Sequence, residues 1–311
     1  MTDILIQPKY NIIIDATMFS TFQACARKYD FRFNVNMVTP GKSPSLEMGS
    51  VVHKFLEVYY AHLINGFAKT NAVAQGLTAA FNYVTGCKGC MDVPLDHKEP
   101  LPCKHKPQEY PGVKLEPKDV KLAFDTCEEY IEYYKNDPWI PREVEVVKSK
   151  VIYQDDNLRI MWKAKLDWLA EIVGVGLFSV DHKTMKQRRE TIDLNNQFMG
   201  QAIVTDQRVV YVNKIGFQTS LKPNEKFSRP PLSYSLDRLT EWSTQIIPFW
   251  LNMLIMFHES GYFPPNFSGC DNKYGLCEYL PVCKIDRNMR ELVLRNEFKK
   301  GEIWDISSRD E

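Results

Sequence analysis

Two short runs decide the fold: Lys165-Leu166-Asp167-Trp168-Leu169 and Asp181-His182-Lys183-Thr184, with thirteen residues between the two aspartates. Working outward, the apolar pattern over 158–172 predicts a strand, Gly174 and Gly176 break it, and 177–181 predicts the next strand. Upstream, a strand opens at Glu143 and runs through Val144, Val146, Val147, Val151, Ile152 and Tyr153, and Asp155-Asp156-Asn157 supplies a turn. These strands make an antiparallel meander of three. In its second hairpin Asp167 and Asp181 lie side by side. Two carboxylates that close repel each other unless a divalent cation lies between them. Lys183 falls two residues past Asp181, so on a strand it shares that face and sets an ammonium beside the pair. Two acids and a lysine suit metal-assisted hydrolysis of a phosphodiester. A solvated strand edge with a surface ion pair is the competing account, but Asp181 ends an apolar core strand.

Helical spacing surrounds the meander. Residues 17–33 place Phe19, Phe22, Cys25, Tyr29 and Phe33 at helical intervals, and 46–63 reads as a long helix on which His53 and Glu57 share a face. Further helices are expected over 71–84 and over 118–135, the latter ended by Pro138 and Pro141. After the meander come a helix over 194–206, a strand over 208–217 and a helix over 239–259. The 311-residue chain is 44% hydrophobic and 25% charged, enough to bury a core without disulfides. Basic and acidic residues balance at 39 each, which excludes attachment to nucleic acid by bulk charge. A local strip remains: Lys183, Lys186, Arg188 and Arg189, with no acid in the run until Glu190. Arg27, Lys28 and Arg32 form a second basic patch. No apolar run approaches the ~18 residues of a membrane span, and residues 1–10 lack a signal-peptide core, so a cytoplasmic protein is expected.

In a reducing compartment, clustered cysteines point to metal rather than to disulfides. Cys270, Cys277 and Cys283 form a trio that needs a fourth ligand, and Cys25 can supply it if the chain ends meet. Cys87, Cys90, Cys103 and His105 make a Cys3His set of the kind structural zinc uses, with His97 as a rival fourth ligand. That set lies in a proline-rich insertion, 86–106, which is also a candidate site for a protein partner. Cys127 sits in a helical stretch and reads as a small buried hydrophobe.

Six elements stand in one order: Phe19-Ser20-Thr21-Phe22-Gln23-Ala24-Cys25-Ala26-Arg27-Lys28-Tyr29, Gly49 with His53, Asp167, Asp181-His182-Lys183-Thr184, Gln197, and the Cys270, Cys277, Cys283 trio. In that order the chain resembles the RecB-type branch of the PD-(D/E)xK nuclease superfamily, with the iron–sulfur staple of AddB-like and CRISPR-associated adaptation exonucleases. The resemblance implies an α/β (α+β) fold: a restriction-endonuclease-like core of a mixed sheet flanked by helices. Its N- and C-terminal segments would be joined by a [4Fe-4S] cluster on Cys25, Cys270, Cys277 and Cys283, making residues 1–311 one nuclease domain. It further implies that His53, Asp167, Asp181 and the backbone carbonyl of His182 ligate Mg2+ or Mn2+. An imidazole among the carboxylates favours Mn2+. Lys183 would position or activate the attacking water, and Gln197 would orient Lys183 or a phosphate. Lys186, Arg188, Arg189 and Gln201 would face DNA. Position 201 is usually tyrosine in that family, the Cys270–Cys277 spacing is longer than usual, and the 86–106 insertion has no counterpart.

The expected function is that of a metal-dependent DNA nuclease, an exonuclease on single-stranded or end-containing DNA, in recombination, repair or replication. Without a phosphate-binding GxxxxGK loop it reads as a stand-alone enzyme, compatible with a viral or mobile-element protein in a host cytoplasm. The alternative is a catalytically inactive iron–sulfur and zinc scaffold that binds nucleic acid.

Overall fold

The computed structural model describes residues 8–39, 44–85, 115–185, 193–272 and 275–306. The zinc candidates Cys87, Cys90, His97, Cys103 and His105 and the cations Lys186, Arg188 and Arg189 lie outside the described residues. In chain order, β1 (Tyr10–Ile14) leads into α1 (Ala16–Ala24) and α2 (Ala26–Tyr29). After β2 (Met37–Val38) come α3 (Pro44–Ile64), α4 (Lys69–Thr85) and α5 (Pro117–Tyr133). The meander is β3 (Trp139–Gln154), β4 (Leu158–Ile172) and β5 (Gly176–Met185). Then follow α6 (Asn196–Val204), β6 (Val209–Gly216), α7 (Pro223–Lys226), β7 (Phe227–Ser228), β8 (Pro231–Ser233), α8 (Leu236–Glu241) and α9 (Ile247–Ser260).

One mixed sheet of seven strands carries these elements. β3, β4 and β5 pair antiparallel, as the sequence pattern requires, while β1 joins β4 and β6 joins β5 in parallel. The crossover between β5 and β6 is α6, the short helix a parallel pair needs. Helices cover both faces. Phe19 and Phe22 of α1, Phe198 and Ala202 of α6 and Leu251 and Leu254 of α9 pack with Trp162 and Leu166 on one face. Val52 and Phe55 of α3, Ala72 of α4 and Cys127 and Tyr130 of α5 pack with Trp168 and Val180 on the other. Cys127 is fully buried, as its sequence context predicts.

The strand alternation is interrupted at one rung. Val146 and Leu166 face the α1–α6 core, yet Val144 and Trp168, two residues away on each strand, face the α3–α5 core. Side chains two apart on a regular strand share a face, so both strands turn over between these pairs. At that rung stands Glu145 in the left-handed region, with φ 51°. Such a backbone costs a residue with a Cβ about 1–3 kcal/mol.

Several boundaries differ from the sequence pattern. The expected 17–33 helix breaks at Cys25, whose backbone is extended, and resumes as α2 and a π turn at Asp30–Asn34. β3 begins at Trp139, before Glu143, and passes through Pro141 at a register shift, where a missing N–H is tolerated. β5 does not stop at Asp181 but continues through Lys183, because β6 pairs beside it as far as Met185. The expected 239–259 helix is two helices joined by a π turn at Trp242–Ile246, and Pro248 lies in the first turn of the second. β1 carries no signal that the sequence reading used. Among the described residues no helix is long and apolar enough to cross a membrane.

Trp162 fixes how closely α6 approaches the sheet. A Cβ built on Gly200 would lie 2.1 Å from Trp162 Nε1, so the indole fills the space of a side chain. We expect Gly200→Ala to destabilise the fold by about 1–3 kcal/mol, read as a lower urea midpoint with an unchanged slope.

Candidate active site

The register of the β4–β5 hairpin builds the site. Its pairing runs to Trp168 with Val180, and the same register continued by one step sets Asp167 opposite Asp181. There the backbone N–H of His182 donates to Asp167 Oδ2 at 2.7 Å. Asp181 is buried, 1% exposed, and its Oδ1 accepts from two amides of α6: Gln197 Nε2 at 2.6 Å and Gln201 Nε2 at 2.9 Å. These glutamines stand four residues apart, one turn of α6, so one helix face holds one carboxylate oxygen. The other oxygen, Oδ2, has no hydrogen-bond donor. Lys183 Nζ lies 2.7 Å from it as an ion pair, off the hydrogen-bonding directions, and donates to Gln197 Oε1 at 3.0 Å. Thus Asp181, Lys183 and Gln197 form a closed triangle, each touching the other two.

α3 brings His53 to the rung, its Nδ1 3.7 Å from Asp167 Oδ2. Gly49, one turn earlier, passes close to β5: a Cβ there would lie 2.7 Å from Thr184 Oγ1. Burial, and then the charge of Asp181, raises the Asp167 carboxyl above the usual carboxylate range, against the pull of His53 and Lys183. Burial also drives Glu145 up to about 7, with Asp167 adding to it and Lys165 opposing. Lys165 Nζ ion-pairs with Glu145 at 2.8 Å. Strand register sets Glu145 opposite Asp167, between the pairs Val144–Trp168 and Val146–Leu166. Neither Glu145 nor Lys165 stands out in the sequence pattern, and a single left-handed residue within a strand leaves no periodic trace.

The sequence-predicted residues therefore divide. His53, Asp167, Asp181, His182, Lys183, Gln197 and Gln201 converge on one rung and the helix beside it. Gln201, expected to face DNA, is 1% exposed and also accepts from Ser179 Oγ at 3.3 Å, so its amide is committed within the protein. Among the described residues no three His, Cys, Asp or Glu side chains are grouped as ligands of one ion.

The imidazole of His182 turns to the opposite face from Asp181 and Lys183. Its Nδ1 meets Asn213 Nδ2 at 2.7 Å. An amide N–H can donate only to an unprotonated ring nitrogen, and burial with the nearby charges of His53 and Arg229 holds the ring well below the usual histidine range. Asn213 Oδ1 accepts from Arg229 Nε at 3.3 Å, Arg229 Nη1 donates to Asp137 at 2.5 Å, and Arg229 Nη2 donates to Tyr130 at 2.9 Å. The guanidinium also lies over the Tyr134, Trp139 and Trp168 rings at 3.8, 4.7 and 4.9 Å. This buried chain clamps β5 from behind the catalytic rung. Nothing in the spacing of Arg229 marks it in advance.

Residues 24–28 and 264–278 meet beside α1. Asn266 Nδ2 donates to Ala24 O at 2.9 Å, and the Asn266 N–H donates to Cys25 Sγ at 3.3 Å. Lys28 pairs with Glu278 at 2.9 Å, and the Cys277 N–H donates to Cys270 O at 2.8 Å. Burial raises the thiols of Cys277 and Cys283, with Lys28 and Arg27 respectively acting against it, and Cys25 and Cys270 lie close enough to Cys283 to add to its shift.

With this geometry in view, residues 16–284 match the model of the PD-(D/E)XK nuclease superfamily. The chain belongs to that superfamily. No curated protein matches it. Among solved structures it is similar to a candidate exonuclease from Eubacterium rectale, at 14% identity over 88% of each chain with a TM-score of 0.45. It is also similar to SSO0001, at 15% identity over 54% of this chain and 70% of that one, with a TM-score of 0.33.

Replacing Arg229 with Met leaves Asp137 without its cation and Asn213 without its donor. We expect a loss of about 3 kcal/mol by urea denaturation, and a smaller loss for Asp137→Asn.

Proposed function

We propose that the chain is a metal-dependent DNA nuclease that cleaves phosphodiester bonds at the Asp167–Asp181 rung, acting on single strands or ends. One observation carries this reading: two carboxylates share a rung beside Lys183, and one oxygen of the buried Asp181 lacks a hydrogen-bond donor. A divalent cation suits that oxygen. Asp167, Asp181, the His182 carbonyl and His53 would hold Mg2+ or Mn2+, which supplies charge neutralisation at the phosphorus and an acidified water. Lys183 is held by Gln197 and Asp181, so its ammonium is already placed to steer the nucleophile and stabilise charge on the phosphoryl oxygens. Gln197 is a positioning residue that fixes both partners. Gln201 fixes the carboxylate alone.

The second part of the reading concerns the chain ends. We infer one nuclease domain over the whole chain, in which Cys25, Cys270, Cys277 and Cys283 hold an iron–sulfur cluster. The support is their shared location and the cations Arg27 and Lys28 set against the thiols, because cationic neighbours favour the thiolates that such a cluster needs. A zinc site on Cys87, Cys90, Cys103 and His105, a partner bound there, and DNA contacts by Lys186, Arg188 and Arg189 complete the proposal.

Cleavage of end-labelled DNA in Mn2+ tests the first part. Asp181→Asn and Lys183→Ala are expected to lose at least about a hundredfold in rate, while keeping the wild-type unfolding free energy in urea titration to within about 1 kcal/mol. Wild-type protein that binds DNA but never cuts it would instead favour the inactive scaffold. Burial, and then Asp181, raises the Asp167 carboxyl, and a cation held there must displace its proton, so Mn2+ affinity should rise with pH as Asp167 ionises, as measured by calorimetry. Anaerobically purified protein should show visible charge-transfer absorption that Cys25→Ser removes.

A further inference from the structure

Beside the catalytic rung, on the side of α1, lies a cleft of about 230 Å³. Lys163 and Lys165 of β4 form one wall, Thr17 and Ser20 of α1 another, and Gln197 of α6 joins it to the Asp181–Lys183 triangle. Trp162, buried against Phe19 and Trp242, is its floor. The cleft is smaller than the ~300–1,000 Å³ of drug-sized ligand sites and matches a phosphate with part of its sugar. Its lining residues bring hydroxyls, amides and two lysines, of which Lys165 is nearly buried in its ion pair with Glu145. Such a lining offers donors and positive charge, the complement of a phosphodiester.

The two lysines are held differently. Lys165 is fixed at 2.8 Å by Glu145, the residue whose left-handed backbone sets it opposite Asp167. Lys163 is held loosely, 3.9 Å from Asp305, which precedes the cleft-lining Ile306. That segment is latched by Trp304, whose indole N–H donates to Asp15 Oδ2 at 2.6 Å, while Asp15 Oδ1 caps α1 through the N–H groups of Thr17 and Met18 at 2.7 and 3.0 Å. Ile306, the next residue after Asp305, is buried and lines the cleft.

Resting on the nuclease reading, we propose that this cleft seats the backbone phosphate adjacent to the scissile one. Lys163 is its exchangeable cation: the strand phosphate replaces Asp305 there. Lys165 and the α1 hydroxyls fix the strand direction, and the Trp304–Ile306 segment is the wall that limits how far the strand passes the rung.

The test uses the full chain and a fluorescein-labelled single-stranded oligonucleotide. Binding is read by anisotropy in EDTA across a salt series, and cleavage in Mn2+ by steady-state kinetics. Lys163→Gln should raise Kd and KM about tenfold, raise KM more than it lowers kcat, and lessen the slope of log Kd against log salt by about 0.7. Asp305→Asn should tighten binding, since it removes the competing carboxylate, and Ile306→Glu should weaken it. Lys150→Gln, which removes a cation paired with Asp206 elsewhere on β3, should bind as wild type. The proposal is overturned if Lys163→Gln and Lys150→Gln behave alike, if Asp305→Asn weakens binding, or if the wild type binds no oligonucleotide. Tight binding with the expected Lys163 and Asp305 effects but no cleavage overturns the nuclease reading and leaves the cleft assignment standing.

Discussion

Everything near the centre of this molecule answers one electrostatic demand: two carboxylates, Asp167 and Asp181, occupy one rung of a buried hairpin. Burial disfavours the charged form of Asp167, and the neighbouring charge of Asp181 adds to that rise. The fold meets the demand with donors from every side. The His182 N–H serves Asp167, the Gln197 and Gln201 amides serve Asp181, and Lys183 and His53 bring positive charge. Each donor requires a different element to be in place: the hairpin register, the crossover helix α6 and the long helix α3. A change in any one of these would expose the repulsion that the others offset.

The same rung is where the sheet changes faces. Because β3 and β4 turn over between Val146–Leu166 and Val144–Trp168, the strands serve the α1–α6 core at one end and the α3–α5 core at the other. Asp167 stands at the crossing, within reach of His53 from one helical layer and beside Asp181, which α6 holds from the other. A regular strand would commit Asp167 to one layer. The left-handed backbone of Glu145 is the local strain that accompanies this arrangement, and its ion pair with Lys165 offsets part of the cost.

Much of this was legible in the sequence, for physical reasons. The meander follows from apolar strand patterning and an Asp-Asp-Asn turn, and the spacing of Asp167 and Asp181 allows a hairpin to set them side by side. The resemblance to the nuclease superfamily implied a role for Gln197 beside Lys183, and the two are in hydrogen-bond contact. Other features had no such trace. Glu145 owes its place to a broken alternation, which pattern reading treats as noise. Asn213 and Arg229 reach His182 through contacts between residues far apart in sequence. The break at Cys25 came from tertiary contacts with residues 264–266, which override a continuous helical pattern. Gln201 stands where the resembled family usually has tyrosine, which implied a DNA contact; in the structure its amide and that of Gln197 both turn to one oxygen of Asp181.

The contacts of α1 with residues 264–266 bear on the placement of Asp181 through α6. Asn196, the residue before Gln197, donates to Gln23 on α1 at 2.8 Å and accepts from Trp242 Nε1 at 2.9 Å. The start of α6 is therefore held between the N-terminal helix and the helical segment before α9. Those two elements are themselves tied by Cys25, Ala24 and Asn266, and by Trp304 at the cap of α1. Loosening the junction would let α1 shift and carry Asn196 with it. Gln197 and Gln201 follow on the same helix, and both hold Asp181, so the placement of the second carboxylate is linked to contacts at the chain ends. A cross-link at the cysteines would act on the rung by this route, without touching it.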